Sequence, residues 1–117
     1  MMGKTLDFTK HKKSFLTVKI DDEQKTVLFV NTPTKEIYEE MFDCFELLEG
    51  VQNAQKLSEV RDSLDAIYRT CAKALSHNKQ RKHFTDHELE AIWDVEDVIL
   101  FFTEYMDFVA GEAEGKN

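Results

Sequence analysis

Few side chains in this chain could bind a metal ion or attack a substrate. The histidines and cysteines are His11, His77, His83, His87, Cys44 and Cys71. Only His83 and His87 have helical spacing, and a helix is predicted to start between them, so one regular helix cannot present both rings. Zinc held by Cys71 and the three later histidines is an alternative, although the spacing fits no finger, ribbon or metalloprotease pattern. We expect no metal site and no cofactor.

Two other arrangements could support catalysis, namely paired carboxylates and a phosphate-binding loop. Glu39 and Asp43 are four residues apart and would share one side of a helix, but neighbouring acids on an amphipathic helix usually face water. The four glycines stand at positions 3, 50, 111 and 115, so there is no glycine-rich loop, and no serine lies in a nucleophile elbow. The sequence predicts a protein that is not an enzyme.

The charge balance argues against a nucleic-acid partner. The formal net charge is −8, so a duplex would have to find a local basic patch against an unfavourable overall field. Residues 10–13 and 79–83 are basic runs, and both are typical of solvated loops. A regulator that binds nucleic acid through these two loops is one alternative, but we expect no nucleic-acid partner.

The sequence has no long run of apolar residues of the kind found in membrane helices or secretory signals. No window approaches the about 18 uninterrupted apolar residues of a membrane-spanning helix, and residues 1–8 lack the apolar run of a secretory signal. We therefore expect a cytoplasmic protein without a membrane partner. Cys44 and Cys71 fall within helical patterns, and we expect both to be buried, reduced thiols.

The first third of the chain has the two-residue apolar period of strands. Residues 15–20 and 26–30 are short, rich in β-branched and aromatic side chains, and separated by a polar loop. This pattern predicts an antiparallel β-hairpin. Residues 4–9, in which apolar and polar side chains alternate, could add a third strand. Because a lone hairpin is marginal in water, we expect helices across one face.

From Pro33 onward the apolar period is about 3.6 residues, which predicts helices. Thr32 is the predicted N-cap of the first helix, with Thr34 as the competing cap, and Gly50 is expected to end it. A second helix is predicted over residues 52–76. The apolar side of the first helix, opposite its carboxylates, comprises Ile37, Tyr38, Met41, Phe42, Cys44, Phe45 and Leu48.

A third helix has two start signals. Thr85 and Glu88 match a capping box, and Phe84 with Leu89 matches a hydrophobic staple, so a helix is predicted to begin at Asp86.

The rest of the chain is predicted to be a long helix and a tail. Asp94 is the predicted N-cap that separates a short third helix from the long terminal one, and Gly111 is expected to end the latter. The fold is therefore predicted to be α+β, with an N-terminal antiparallel hairpin, which residues 4–9 would extend to three strands, followed by three or four α-helices. It would form one domain, residues 1–111, with a flexible tail at 112–117. The inner face of the short helix is predicted to comprise Leu89, Ile92 and Trp93.

The terminal helix is notable for the breadth of its apolar arc. Eight of the nine apolar side chains in residues 98–109 cover roughly half of the circumference, with Leu100 outside, whereas a surface helix needs about 100°. Ordinary core packing explains part of this arc, and a membrane-surface helix is disfavoured because its polar side chains are acidic. The surplus predicts binding to another chain, through Phe101, Phe102, Tyr105, Met106 and Phe108.

Several segments, taken in order, resemble a known family. The similarity is to the small tail assembly chaperones of long-tailed phages and prophages of Gram-positive bacteria, and it spans residues 4–110. The segments that carry it are residues 27–34 (VLFVNTPT), 74–79 (ALSHNK), 84–86 (FTD), and the apolar positions of 89–93 and 99–108.

The resemblance implies a non-enzymatic assembly factor in the cytoplasm of the infected host. Such a factor coats the long, aggregation-prone tape measure protein, helps the tail tube protein to polymerise around it, associates with itself, and is absent from the finished virion. The resemblance assigns no site residue. The main alternative is a small phage or bacterial adaptor that binds one protein partner through the acidic helix around Glu39, Glu40 and Asp43.

Overall fold

The described part of the chain comprises residues 3–10, 13–53 and 57–113 of a computed structural model. It contains one 3-10 helix, two strands and four α-helices, so the predicted α+β fold is confirmed. In chain order the elements are the 3-10 helix Phe8–Lys10, β1 (Phe15–Lys19), β2 (Val27–Asn31), α1 (Lys35–Asn53), α2 (Leu57–Ser76), α3 (Asp86–Ile92) and α4 (Val95–Ala113).

The two strands form the predicted antiparallel hairpin. Leu16 lies opposite Val30, and Val18 lies opposite Leu28, so these four side chains share one face of the sheet. Leu28 and Val30 are 1% and 0% exposed. This face of the hairpin is therefore the one that the helices cover.

The third strand considered for residues 4–9 is not formed. Residues 3–7 have no regular secondary structure, and residues 8–10 form the 3-10 helix. The Asp7 carboxylate accepts a hydrogen bond from the Thr9 backbone N–H at 2.9 Å, and such a local bond competes with an extended backbone. Leu6 and Phe8 are 74% and 72% exposed. The alternation of Leu6 and Phe8 with polar residues was therefore a misleading signal for a strand.

The start and the end of α1 both correct the sequence prediction. The Thr34 hydroxyl accepts a hydrogen bond from the Ile37 N–H at 3.3 Å, so the N-cap is the competing residue and not Thr32. At the other end α1 continues through Gly50. A glycine inside a helix costs only about 1 kcal/mol relative to alanine, so it does not end a helix by itself.

The starts of α3 and α4 are confirmed. Thr85 and Glu88 form a reciprocal capping box, in which each side chain accepts a hydrogen bond from the other residue's backbone N–H at 3.1 Å. Asp94 and Asp97 repeat this arrangement at the start of α4, with distances of 2.9 and 3.2 Å. The two pairs explain why the chain breaks into a short and a long helix here.

The predicted inner face of α3 and the end of α4 are only partly correct. Leu89 is buried and Trp93 is half-buried, but Ile92 is 41% exposed, because α3 ends at that residue. Gly111 lies inside α4, which runs on to Ala113. Residues 114–117 of the predicted tail lie outside the described residues.

The central helix of the fold is α2, which contacts α1, α3, α4 and β2. Ile67, Cys71, Ala74 and Leu75 on this helix are all 0% exposed. The second helix predicted over residues 52–76 is therefore present, although it begins at Leu57, residues 52 and 53 belong to α1, and residues 54–56 lie outside the described part.

The chain that follows α2 is hydrogen-bonded to the free side of β2. The His77 carbonyl accepts from the Asn31 N–H, and the Lys79 N–H donates to the Phe29 carbonyl, both at 2.9 Å. The Gln80 side chain then accepts from the Phe29 N–H and donates to the Val27 carbonyl. This segment, residues 77–80, closes the outer edge of β2 much as a third strand would.

Asn78 holds this segment in shape. Its side chain is buried, and its Nδ2 donates to the carbonyls of Leu75 and Lys82, both at 2.8 Å, while its Oδ1 accepts from the Lys82 N–H at 2.9 Å. The amide thus satisfies three backbone groups at the point where α2 meets the sheet.

The substitution Asn78→Asp tests this role. It replaces two donated hydrogen bonds by a buried carboxylate that faces two carbonyls, and should lower the free energy of unfolding by about 2–4 kcal/mol. Urea unfolding at neutral pH measures the loss. The matched control is Gln80→Glu, which makes the same chemical change at an exposed side chain and should cost less than about 1 kcal/mol. Equal losses in the two variants would contradict the assignment.

Candidate protein-binding surface

The five side chains predicted to bind another protein lie at different depths. Phe101, Phe102 and Tyr105 are 6%, 2% and 0% exposed, whereas Met106 and Phe108 are half-buried and pack against the core. The rings of the first three therefore belong to the chain's own core and present no surface in this conformation. Binding of another chain through these five residues stays a prediction.

The apolar arc of α4 is broad because α4 is covered from several directions. It packs against α2, the Tyr105 hydroxyl donates to the Asn31 carbonyl at the end of β2 at 2.8 Å, and the Phe101 and Trp93 ring centroids are 5.2 Å apart. Burial raises the pKa of Tyr105, which keeps the hydroxyl protonated as a donor. The arc thus reflects several neighbours within the same chain.

A row of exposed aromatic side chains lies on α1. Tyr38, Phe42 and Phe45 are 36%, 53% and 49% exposed. Their spacing of four and three residues places them on one side of the helix, and the rings of Tyr38 and Phe42 are in edge-to-face contact with centroids 5.0 Å apart. We call these three residues the α1 aromatic stripe.

The α1 aromatic stripe runs beside the buried side of the same helix. Ile37, Met41 and Cys44 are 9%, 0% and 2% exposed, and each directly precedes one member of the stripe in the sequence. One residue is a rotation of about 100°. The first helix therefore has two parallel apolar sides, one that packs inward and one that faces solvent.

Sequence reasoning identified these residues but placed them together with the buried ones on a single apolar side of the helix. The signal that would have found the stripe is the one applied to α4, because an apolar arc that includes both Met41 and Phe42 is wider than one packing partner requires. The width of an arc gives the amount of apolar surface. It does not say which part of the fold covers that surface.

Carboxylates border the α1 aromatic stripe. Glu39, Asp43 and Glu46 are exposed, and they lie on the side of α1 away from the buried residues. Lys35 pairs with Glu39 at 3.5 Å, but both side chains are largely exposed, so this pair contributes little stability. A partner that docks on the stripe would meet a negative rim.

Glu40, the remaining member of the predicted acidic surface, has an intramolecular role. Its Oε1 lies 2.7 Å from Lys73 Nζ, which joins α1 to α2, and this hydrogen bond raises the pKa of Lys73. The other carboxylate oxygen is buried without a hydrogen-bond partner among the described residues. Of the predicted acidic surface, only Glu39 and Asp43 are available to a partner.

The titratable side chains do not form a metal site in the described part of the chain, where no three histidine, cysteine or carboxylate groups lie close enough to hold an ion. Both cysteines are buried and free, as predicted. Burial raises the pKa of Cys71 and of Cys44, and the latter's Sγ lies 3.7 Å from the Ala66 carbonyl oxygen. Both thiols therefore act as neutral packing groups.

None of the helices in residues 3–10, 13–53 and 57–113 combines the length and apolar character needed to cross a membrane. Comparison of the chain with protein-family models, with curated proteins and with solved structures found no match.

Substitutions in the buried rings of α4 and in the α1 aromatic stripe should distinguish core side chains from surface side chains. Phe102→Ala should lower the free energy of unfolding by about 3–5 kcal/mol, because it opens a cavity in the core. Phe42→Gln and Phe45→Gln should each cost less than about 1 kcal/mol, because both rings are half in water and glutamine is a good helix former. Urea unfolding measures all three. A larger loss for the α1 variants than for Phe102→Ala would reverse the assignment.

Proposed function

We propose that this chain is a non-enzymatic protein-binding factor that shields a partner through the α1 aromatic stripe. More specifically, we propose a phage tail assembly chaperone that binds the tape measure protein and assists assembly of the tail tube protein, in the cytoplasm of a bacterial host and without a cofactor. Self-association is part of this proposal. The observation that carries it is the presence of three aromatic rings on the outside of α1.

The geometry of the stripe suits a helical client. Three apolar side chains at positions i, i+4 and i+7 form a ridge that packs against the apolar side of another amphipathic helix. Tyrosine and phenylalanine are typical anchors in such contacts, because they bury a large area with little conformational entropy to lose. A long helical tape measure protein would offer many such sites along its length.

The charge distribution supports the same function. The carboxylates beside the stripe favour a client with basic side chains next to its apolar ones. The net charge of −8 would help to keep a loaded, apolar client in solution.

One observation favours the alternative of a small adaptor with a single protein partner. Glu39 and Asp43 are exposed on the same helix as the aromatic stripe, so charge alone could select the partner. In that case the carboxylates, and not the rings, would carry most of the binding free energy.

Binding to a long helical tape measure protein tests the proposal, which also predicts that the gene for this client lies just downstream. Co-purification and light scattering should show that the wild-type chain binds this client and suppresses its aggregation. The double variant Phe42→Gln, Phe45→Gln should bind at least about tenfold more weakly, since two buried anchors are lost. Absence of wild-type binding, or unchanged binding by the double variant, would contradict the proposal.

Two controls complete this experiment. Val95→Gln removes an exposed apolar side chain at the start of α4 and should leave client binding unchanged. The double reversal Glu39→Lys, Asp43→Lys separates the two functions: it should weaken a chaperone moderately and in a salt-dependent way, whereas it should abolish binding by an acidic adaptor.

A further inference from the structure

Among the described residues, the outer edge of β1 is the open edge of the sheet. The Ile20 N–H donates to the Thr26 carbonyl at 2.8 Å, and opposite residues in an antiparallel ladder alternate between bonded and non-bonded pairs. The even-numbered residues of β1 therefore point their backbone groups at β2. The odd-numbered residues, Phe15, Thr17 and Lys19, point theirs away from the sheet.

The two edges of the sheet differ. Residues 77–80 and the Gln80 side chain cover the outer edge of β2, whereas no described residue forms a hydrogen bond with the outward backbone groups of Phe15, Thr17 or Lys19. These three residues thus present three N–H donors and three carbonyl acceptors along a straight edge. An edge of this kind recognises another extended chain.

We infer that this edge binds the β1 strand of a second copy of the chain, antiparallel, so that two hairpins form one four-stranded sheet. This inference rests on the self-association in the proposed function and names its surface, which is separate from the α1 aromatic stripe.

The register of this pairing follows from the sequence of β1. With Thr17 opposite the partner's Thr17, the Phe15 position lies opposite the partner's Lys19, and all three outward-facing residues form hydrogen-bonded pairs. The twofold axis then passes between the two threonines, and the three pairs form six backbone hydrogen bonds. Leu16 comes to lie beside the partner's Val18 on the inner face.

Charge complementarity favours this register. Lys13 precedes β1 and Asp21 follows it, both are exposed, and in the antiparallel arrangement each lies opposite the other residue of the second copy. Each residue lies two positions beyond an end of β1, outside the strand itself. The pairing therefore brings two Lys13–Asp21 pairs together, one at each end of the interface.

A groove beside β1 gives the second copy a place to pack. The groove has a volume of about 500 Å³. Its apolar walls include Leu16 and Val18 of β1, Ile92 at the end of α3, and Leu100 of α4, and the charged side chains of Lys19, Asp21, Asp97 and Glu104 also line it. Ile92 and Leu100 are 41% and 59% exposed. The partner's Leu16 and Val18 extend the inner face of the sheet over this groove, which covers both of these side chains.

Sedimentation of the full chain over a range of concentrations tests the inference. The wild-type chain should sediment as a dimer, at twice the monomer mass of 13.7 kDa. Thr17→Pro removes an outward N–H and places the ring in the path of the second strand, but breaks no bond to β2. It should raise the dissociation constant at least tenfold. Thr17→Val, which keeps the N–H, should dimerise like the wild type.

A charge swap checks the same interface without changing the strand. Lys13→Asp and Asp21→Lys should each weaken the dimer severalfold, and the two substitutions together should restore it. The charge swap also tests the β1 interface if Thr17→Pro fails to fold. A wild-type monomer at all concentrations, or a dimer that the variants leave unchanged, would overturn the inference.

Formation of the dimer should not depend on the α1 aromatic stripe. The variant Phe42→Gln, Phe45→Gln should still form the dimer. Loss of the dimer in that variant would assign self-association to α1 and contradict the role of β1.

Discussion

The hydrogen bonding on both sides of β2 is the constraint on which the rest of the structure depends. β1 pairs with one side, and residues 77–80 pair with the other, so the end of α2 is joined directly to the sheet. Because α2 also contacts α1, α3 and α4, every helix takes its position relative to the hairpin from this junction. The same arrangement leaves β1 as the open edge of the described sheet.

The position of α2 also decides which aromatic residues are buried. α4 is covered by α2, by the end of β2 at Asn31, and by Trp93, so most of its apolar arc is buried within the chain. α1 packs against α2 on one side, and Tyr38, Phe42 and Phe45 remain outside. The exposed aromatic rings compared here are therefore those of the first helix, beside exposed carboxylates, and not Phe101, Phe102 or Tyr105 of the last one.

Local signals in the sequence predicted the elements well, but not their surroundings. The capping pairs Thr85–Glu88 and Asp94–Asp97 depend on side chains three residues apart, so they can be read directly, as can the two strands of the hairpin. Gly50 could not be read in this way, because whether a glycine ends a helix depends on where the chain must turn. Burial of the rings in α4 depends on contacts with Trp93 and Asn31, and the sequence pattern does not reveal which neighbour covers which arc.

The most direct test of the central claim, that the free aromatic surface lies on α1 and not on α4, is a solution NMR measurement with a soluble paramagnetic agent. The agent broadens the signals of side chains in proportion to their contact with solvent. The ring signals of Tyr38, Phe42 and Phe45 should broaden strongly, while those of Phe101, Phe102 and Tyr105 should be protected. Equal broadening of both sets, or protection of the α1 rings alone, would contradict this account.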